Sequence, residues 1–226
     1  QSQANDGYTY APESVTSFEV GFKSKLPHTE FGVNVFRNNL SDYQVFQYAN
    51  LGGFTALQLR NAAEARTQGV ELHIDHVFNE TFGLRASLAY LDAQFLSFPN
   101  GKSTGQDAKG EQMPDAPRWS ASLKGTYTTH ADCLGGNMHF ALHNYFQTET
   151  ISGSSSDYAI NKLDGRSVHD ATVSFESDNK KWLWTLWIKN LSNKEYALAK
   201  SADAFGNIYA IYADPRLFGF SGQYNF

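Results

Sequence analysis

The sequence lacks the features that identify several common classes of protein. Its 226 residues include one cysteine, Cys133, so no internal disulfide can form and no set of thiolate metal ligands is available. Lysine and arginine number 18 against 23 acidic residues and are scattered, which argues against a nucleic-acid-binding surface. No window approaches the roughly 20 consecutive apolar residues of a membrane-spanning helix. A transmembrane β-barrel is not excluded, because its strands alternate and a hydropathy average hides them.

Catalytic motifs are missing as well. The sequence contains no nucleophile elbow, no phosphate-cradling glycine loop and no convincing triad, so we expect no enzymatic activity, no catalytic residue and no cofactor. His139 and His143 share a strand face by alternation, as do His73 and Asp75, which raises the question of a metal site. Strand neighbours at such spacing are too far apart to hold one ion without help, so we expect no bound metal.

Aromatic residues are abundant and charged residues are few, at 15% and 18% of the chain. That combination suits strands with one apolar and one polar face. Strict alternation runs from Trp119 to Tyr127, where apolar or small residues occupy the odd positions only. The same period of two recurs along the chain and predicts about nine strands, around residues 18–22, 31–43, 70–74, 82–90, 119–127, 138–142, 171–175, 182–188 and 218–226.

The connections between the predicted strands alternate in length. Short turns fall near residues 27–28, 79–81, 132–137 and 178–180. Long polar segments fall between them, at residues 50–63, 98–117, 152–165 and 197–214. Transmembrane barrels show this asymmetry, with short periplasmic turns and longer extracellular loops. Several strands also reach about ten residues, the length that a tilted strand needs to cross a bilayer.

The odd strand count predicts an incomplete barrel. If the last strand ends in the periplasm, counting back through nine strands places the entry to the first, near residues 11–13, on the extracellular side. A complete single-chain barrel has an even count and both ends inside. We therefore expect residues 1–226 to be the C-terminal portion of a larger barrel, an open wall whose other strands precede Gln1.

Four segments resemble motifs of TonB-dependent outer-membrane receptors, in the order in which that family carries them. Residues 12–23 resemble its Pro-Glu pair leading into Glu-x-Gly-x-Lys, and residues 66–72 resemble its Gly-Val-Glu strand. Residues 189–196 are similar to its Asn-Leu-x-Asn-x-x-Tyr strand end. Residues 214–226 are similar to its closing Pro-Arg-x-x-Gly, followed by an alternating strand with a terminal aromatic.

The resemblance implies an all-β, antiparallel, up-and-down transmembrane barrel of 22 strands with a plugged lumen, of which this chain supplies the last nine or so. It implies a place in the bacterial outer membrane and active uptake of a scarce nutrient, most commonly a ferric siderophore, with cobalamin, haem and oligosaccharides as other cargoes. The implied partners are outer-membrane lipid, the receptor's own plug domain and remaining strands, the TonB complex, the barrel-assembly machinery and the nutrient. The plug and the TonB-contacting box have no counterpart within residues 1–226.

Candidate functional residues fall into three groups. Long loops on a rigid scaffold often carry ligand contacts, which makes Asp107, Lys109, Asp157, Tyr158 and Lys162 candidates for nutrient binding. The resemblance assigns a barrel-assembly signal to Phe218, Phe220, Tyr224 and Phe226, with packing against lipid as the alternative. Seven charged residues point away from the apolar face and either contact a plug or solute or form a solvated wall: Glu71, Asp75, Arg85, Lys124, Asp170, Glu176 and Lys189.

Two other functions fit the same pattern. A different outer-membrane barrel, either a passive porin or a barrel enzyme with Asp and His in its loops, would show similar strands but no plug domain upstream. A secreted β-sandwich that binds sugars through exposed aromatics would purify without detergent. The predicted wall, in contrast, would expose more apolar surface than a soluble monomer tolerates.

Overall fold

Thirteen β-strands occur in the part of the chain that the computed structural model describes, which is residues 11–51, 54–102, 105–152, 161–202 and 207–226. They are β1 Ser14–Leu26, β2 Thr29–Leu51, β3 Phe54–Val77, β4 Phe82–Ser97, β5 Trp119–Ala131, β6 Gly136–Gln147, β7 Thr150–Ile151, β8 Lys162–Leu163, β9 Arg166–Ser177, β10 Trp182–Lys189, β11 Ala197–Ala202, β12 Ile208–Tyr212 and β13 Leu217–Tyr224. Within these ranges no helix is long and apolar enough to cross a membrane.

Nine of the strands form one antiparallel sheet in chain order, β1-β2-β3-β4-β5-β6-β9-β10-β13. The remaining four form two ribbons within the long connections, β7 with β8 and β11 with β12. Each main strand thus pairs with the next main strand along the chain. The predicted antiparallel up-and-down wall of about nine strands is confirmed.

One face of the sheet is apolar along a continuous band. Five direct cross-strand neighbours in one row of the band are Val20, Val35, Val70, Tyr90 and Trp119. Phe18 and Phe220, near opposite edges of the sheet, are 65% and 60% exposed. Within the described residues no second layer packs over these side chains, so this part of the chain is not a β-sandwich. The opposite face carries the polar residues that alternate with them.

The two faces exchange character toward the long connections. In β4 the band ends at Tyr90, and the same face continues with Asp92 and Gln94, whereas the other face now carries Ala93 and Phe95. Phe95 is 2% exposed. It belongs to the main buried cluster, which we call the loop-side core: Val45, Ala63, Ala65, Ala93, Phe95, Phe98, Ala108, Met113 and Ala116.

Three of the expected loops contain regular structure, and the one at residues 152–165 includes β8, which pairs with β7. β2 and β3 remain paired as far as Leu51 and Phe54, so the prediction of a long loop at residues 50–63 is wrong. This extension lies beyond the apolar band, where no lipid-facing alternation reveals a strand in the sequence. The ribbon β11–β12 likewise occupies part of the expected loop at residues 197–214.

Candidate functional site

A row of six charged residues and one histidine crosses the polar face of the sheet. Its members are successive cross-strand neighbours on seven adjacent strands: Lys25, Glu30, Asp75, Arg85, Lys124, His143 and Asp170. Directly opposed residues on one face lie about 5 Å apart, so the row is continuous. Four of the residues predicted to point away from the apolar face, Asp75, Arg85, Lys124 and Asp170, are part of it.

The acids and bases of this row are paired unevenly. Arg85 Nε donates to Asp75 Oδ2 at 2.8 Å, and Asp170 Oδ1 accepts a hydrogen bond from the backbone N–H of Asn190 at 2.9 Å. Lys124 makes no ion pair with any residue in the described ranges. Its two cross-strand neighbours are Arg85 and His143. The middle of the polar face therefore carries a lysine without an ion-pair partner in the described ranges, and Asp170 is the carboxylate that lines the same recess as this lysine.

This recess has a volume of about 800 Å³, and Arg85, Lys124 and Asp170 are its charged lining residues. Its imidazoles are bonded to hydroxyls, His143 Nε2 to Ser122 Oγ at 2.8 Å and His139 Nδ1 to Thr128 Oγ1 at 3.1 Å. In the described part of the chain no group of three or more His, Cys, Asp or Glu side chains is arranged to hold a metal ion. The recess is suited to water or to a partner that presents carboxylates.

The connection from β4 to β5 is a packed element. Its backbone continues the sheet beside β4, since Phe95 N donates to Glu111 O and Met113 N donates to Ala93 O, both at 3.0 Å. Phe98 is 1% exposed and its ring centroid lies 4.8 Å from that of Phe95. Burial of these rings stabilises the loop against the sheet, on the side opposite to the apolar band.

Three long connections are tied to one another above the wall. Asp115 N donates to Ile151 O at 2.8 Å, and Lys200 joins the last connection to the preceding one through Ser152 Oγ at 3.1 Å and Lys162 O at 3.0 Å. Ile151 is fully buried at this junction. We call the described parts of residues 98–117, 148–165 and 190–216 the loop platform. Desolvation at its surface raises the pKa of the Asp115 carboxyl above the ordinary range.

The residues predicted to bind a nutrient occupy different environments in the platform. Asp107 Oδ1 accepts the backbone N–H groups of Phe98 at 3.0 Å and Lys109 at 2.9 Å, so this carboxylate holds the loop in shape. Lys109 is exposed. Lys162 Nζ lies 2.7 Å from Glu149 Oε2. The other two candidates, Asp157 and Tyr158, lie outside the described residues.

The C-terminal aromatics extend the apolar face at one edge of the sheet. Phe220 stacks on Trp184 with ring centroids 5.3 Å apart, and Tyr224 lies 4.6 Å from Trp182 and 5.2 Å from Phe226. Phe218, also on this face, is 82% exposed. The four residues predicted as an assembly signal, Phe218, Phe220, Tyr224 and Phe226, thus share one exposed surface.

Asn190 organises the base of the last connection. It has a positive φ of 51° and is 5% exposed. Its Nδ2 donates to Lys194 O at 2.9 Å and to Asp214 O at 3.3 Å, and its Oδ1 accepts the backbone N–H of Lys194 at 2.7 Å. Together with the bond from its N–H to Asp170, these contacts fix both ends of the connection to the wall.

The chain matches the model of a known protein family. A family model described as "TonB dependent receptor-like, beta-barrel" matches residues 1–191. The chain belongs to the TonB-dependent receptor family. Membership places this β-barrel wall in the bacterial outer membrane, with the apolar face toward lipid, the polar face toward the barrel interior and the long connections outside the cell.

Similar receptors share this architecture. The metal-pseudopaline receptor CntO of Pseudomonas aeruginosa is 28% identical over 156 residues, which cover 68% of this chain and 20% of CntO. The ferric yersiniabactin uptake receptor FyuA from Yersinia pestis superposes with a TM-score of 0.78 at 16% identity, over 96% of this chain and 30% of FyuA. The siderophore receptor PiuA from Acinetobacter baumannii gives 0.71 at 21% identity, over 97% of this chain and 29% of PiuA. The chain therefore spans between 20% and 30% of these receptors.

Sequence reasoning missed the loop-side core and the role of Asn190. A signal for the core does exist, because the apolar residues move from even positions up to Tyr90 to odd positions from Leu91 to Phe95. That change means that the strand continues while its buried side reverses. Asn190 bonds locally to Lys194, but no local signal predicts its contacts with Asp170 and Asp214, which lie 20 and 24 residues away.

Proposed function

We propose that this chain is the C-terminal barrel portion of an outer-membrane receptor that captures a scarce nutrient at its extracellular loops and imports it with energy supplied through TonB. The observation that carries the proposal is the loop platform, a packed and tethered surface at the outer end of a lipid-facing wall. A preorganised surface of this kind loses little conformational entropy when a ligand binds.

A ferric siderophore is the proposed nutrient. The names of FyuA, PiuA and CntO connect similar receptors with siderophores and metal chelates. Lys109, exposed on the platform, offers a cation to an anionic chelate, and Lys162 offers a second within an ion pair that a ligand would compete for. Asp107 supports the loop, and Asp157 and Tyr158 complete the proposed contact set.

The remaining partners follow from the same proposal. Residues 1–226 form the last nine strands of a barrel of 22, a size at which the lumen holds a plug. The plug packs against the polar face, where Lys124, which forms no ion pair in the described ranges, receives a plug carboxylate. TonB acts on the plug from the periplasm.

Transport of labelled iron tests the proposal. The full-length receptor is restored to a strain that lacks it, and uptake of radiolabelled iron is measured with hydroxamate, catecholate and carboxylate siderophores. We expect uptake of one class to require both the receptor and TonB. Replacing Lys109 and Lys162 together by alanine should reduce this uptake about tenfold at unchanged surface level, about 1.4 kcal/mol of lost binding. Lys180→Ala, in an exposed periplasmic turn, is the matched control. Uptake that is independent of TonB would indicate a passive pore.

We also propose that Phe218, Phe220, Tyr224 and Phe226 are read by the barrel-assembly machinery. Their common exposed surface supports this role. Deleting Phe226 from the full-length receptor should lower its surface level, measured by labelling of intact cells. Leu191→Ala, which removes an exposed apolar side chain at the other end of β10, controls for loss of apolar area. Unchanged surface levels after the deletion would refute the role.

A further inference from the structure

An apolar groove of about 430 Å³ crosses β2 and β3 on the lipid-facing side of the wall. Val35 and Val70 form its floor, and Phe18 and Tyr90 stand on its two sides. These residues are exposed or half-exposed, Phe18 at 65% and Val35 at 51%. The groove is therefore open to the bilayer along its length and is shaped to receive a hydrocarbon chain.

Polar side chains close the outer end of this groove. Arg37, Gln68 and Asp92 form the cross-strand row that follows Val35, Val70 and Tyr90 on the same face. The next row toward the loops consists of Asn39, Arg66 and Gln94. These two rows, which we call the outer polar cap, begin where the apolar band ends. They mark the level at which the hydrocarbon of the bilayer gives way to headgroups.

The two arginines of the outer polar cap have different partners. Arg66 Nη2 lies 3.3 Å from Asp92 Oδ2, an oxygen that also accepts Gln68 Nε2 at 3.0 Å and Gln94 Nε2 at 3.4 Å. Oδ2 of Asp92 is therefore shared by three donors. Arg66 Nε is buried and has no hydrogen-bond partner. The cap thus retains an unsatisfied donor even where its one acid is engaged.

Arg37 is the exposed cation of the cap. Its Nε donates to Asn39 Oδ1 at 3.3 Å, and it forms no ion pair with any residue in the described ranges. Asp92 is already shared by three donors, and Glu64 lies one row farther toward the loops, beyond a shift in strand register. The guanidinium of Arg37 is left to face the headgroup layer, directly above the groove.

A second lipid-facing groove provides an internal comparison. It measures about 740 Å³, lies near the periplasmic turns and is lined by Leu84, Tyr127, Phe140 and Leu142 among others. Gly125 leaves it open, because no atom lies within 4 Å of where its Cβ would be. No charged residue lines this larger groove. Only the groove at the outer leaflet, of these two, combines a hydrocarbon channel with a cation.

We propose that Arg37 and the groove beneath it form a specific site for the phosphorylated, acylated glycolipid of the outer leaflet. An acyl chain lies along Val35 and Val70, and a headgroup phosphate accepts hydrogen bonds from Arg37. Bidentate guanidinium–phosphate pairing matches this geometry, and Arg66 Nε supplies a further donor when the cap relaxes around the ligand. The site lies outside the barrel and is separate from the proposed nutrient contacts.

Lipid exchange on the full-length receptor tests the site. The receptor is purified in mild detergent, delipidated and titrated with bisphosphorylated lipid A, dephosphorylated lipid A or phosphatidylglycerol, with bound lipid counted by native mass spectrometry. We expect lipid A to bind, and Arg37→Ala to weaken its binding about tenfold, or about 1.4 kcal/mol. Arg37→Lys should restore part of the affinity. Val70→Trp, which fills the groove without altering charge, should also weaken binding.

Two controls distinguish a specific lipid A site from nonspecific electrostatic attraction of anionic lipid. Lys181→Ala removes an exposed cation at the periplasmic end and should leave lipid A binding unchanged. Dephosphorylated lipid A should bind wild type as weakly as lipid A binds Arg37→Ala. Equal affinity for phosphatidylglycerol and lipid A, or equal losses with Arg37→Ala and Lys181→Ala, would overturn the proposal. Because nutrient uptake is not measured, failure here leaves the proposed transport function untouched.

Discussion

The lower and upper parts of the wall use the same backbone but opposite side-chain patterns. Near the periplasmic turns the outer side is apolar, as at Leu72 and Leu88, and the inner side is polar, as at Asp75 and Lys124. Near the loops the outer side carries Arg37 and its polar neighbours, and the inner side buries the loop-side core. The strands stay paired through this reversal, and the register shifts in β2 and β3 lie on its loop side, next to Leu40 and Ala65.

The solvent on each side explains the reversal. Below the boundary, lipid covers the outside and the aqueous lumen lies inside, so apolar residues face outward. Above the boundary, water covers the outside, while the folded loop at residues 98–117 supplies an apolar partner inside. In both halves, therefore, the apolar side chains lie on the side that is shielded from water. The row containing Arg37 and Asp92 marks where one solvent replaces the other.

Removing a ring from the loop-side core tests the upper half most severely. Phe95→Ala should destabilise the loop at residues 98–117 by about 3–5 kcal/mol, because the ring is buried and leaves a cavity. Hydrogen exchange of that loop in the full-length receptor would measure the loss. Phe82→Ala, on the lipid-facing side of the same strand, should cost less, since lipid fills the space that the ring leaves. Equal losses at the two positions would contradict the assignment of solvents.

Arginine substitutions on β3 test the position of the boundary. Leu72→Arg places a charge in the hydrocarbon and should cost about 2–4 kcal/mol in urea unfolding of the full-length receptor in bilayers. Gln68→Arg, on the same face four residues away, should cost less than about 1 kcal/mol, since it lies in the headgroup layer and retains Asp92 as a partner. A large loss of unfolding free energy at both sites would indicate that the hydrocarbon region extends farther toward the loops.

Alternation predicted the lower half of the wall because lipid and water impose it locally. A strand such as residues 119–127 reports its two environments in its own sequence. The upper half depends on partners distant in the chain, so Ala63 and Ala65 gave no sign that Phe95 and Phe98 would cover them. Small residues of this kind fit equally well in loops and in strands, which is why β2 and β3 were predicted to end too early.

The candidate site, too, was predictable only where its signal is local in the sequence. Alternation correctly placed Arg85 and Lys124 on one face, yet their order in a single row depends on strand register across several hairpins. The candidate Asp107 was chosen for its charge, whereas the structure engages its carboxylate with two backbone amides. The sequence alone does not show which loop charges support the fold and which are free to bind.

Asn190 joins the two halves and gives the next test. Asn190→Ala removes three side-chain hydrogen bonds and places a side chain poorly suited to positive φ at residue 190, so we expect a loss of about 2 kcal/mol. Hydrogen exchange over residues 189–216 would show the change. Asn193→Ala is the control, because its side chain, also at positive φ, accepts one hydrogen bond from Arg216 N and is exposed. Protection unchanged by Asn190→Ala would mean that the last connection is held by the β11–β12 ribbon.

The smallest expected effect concerns Asp115, in the upper half. Partial desolvation raises the pKa of this carboxyl, so the folded loop binds its proton more tightly than the unfolded chain does. The resulting stabilisation is present below the ordinary aspartate pKa and is lost as pH rises through the raised value. Protease resistance of the loop at residues 98–117 in the full-length receptor should therefore decline slightly over that range. Asp115→Asn tolerates the positive φ of 55° and removes the titration, so its resistance should not vary there. Because the side chain is largely exposed, water screens the charge and keeps the effect small. A decline that persists in Asp115→Asn would assign the pH dependence to another group.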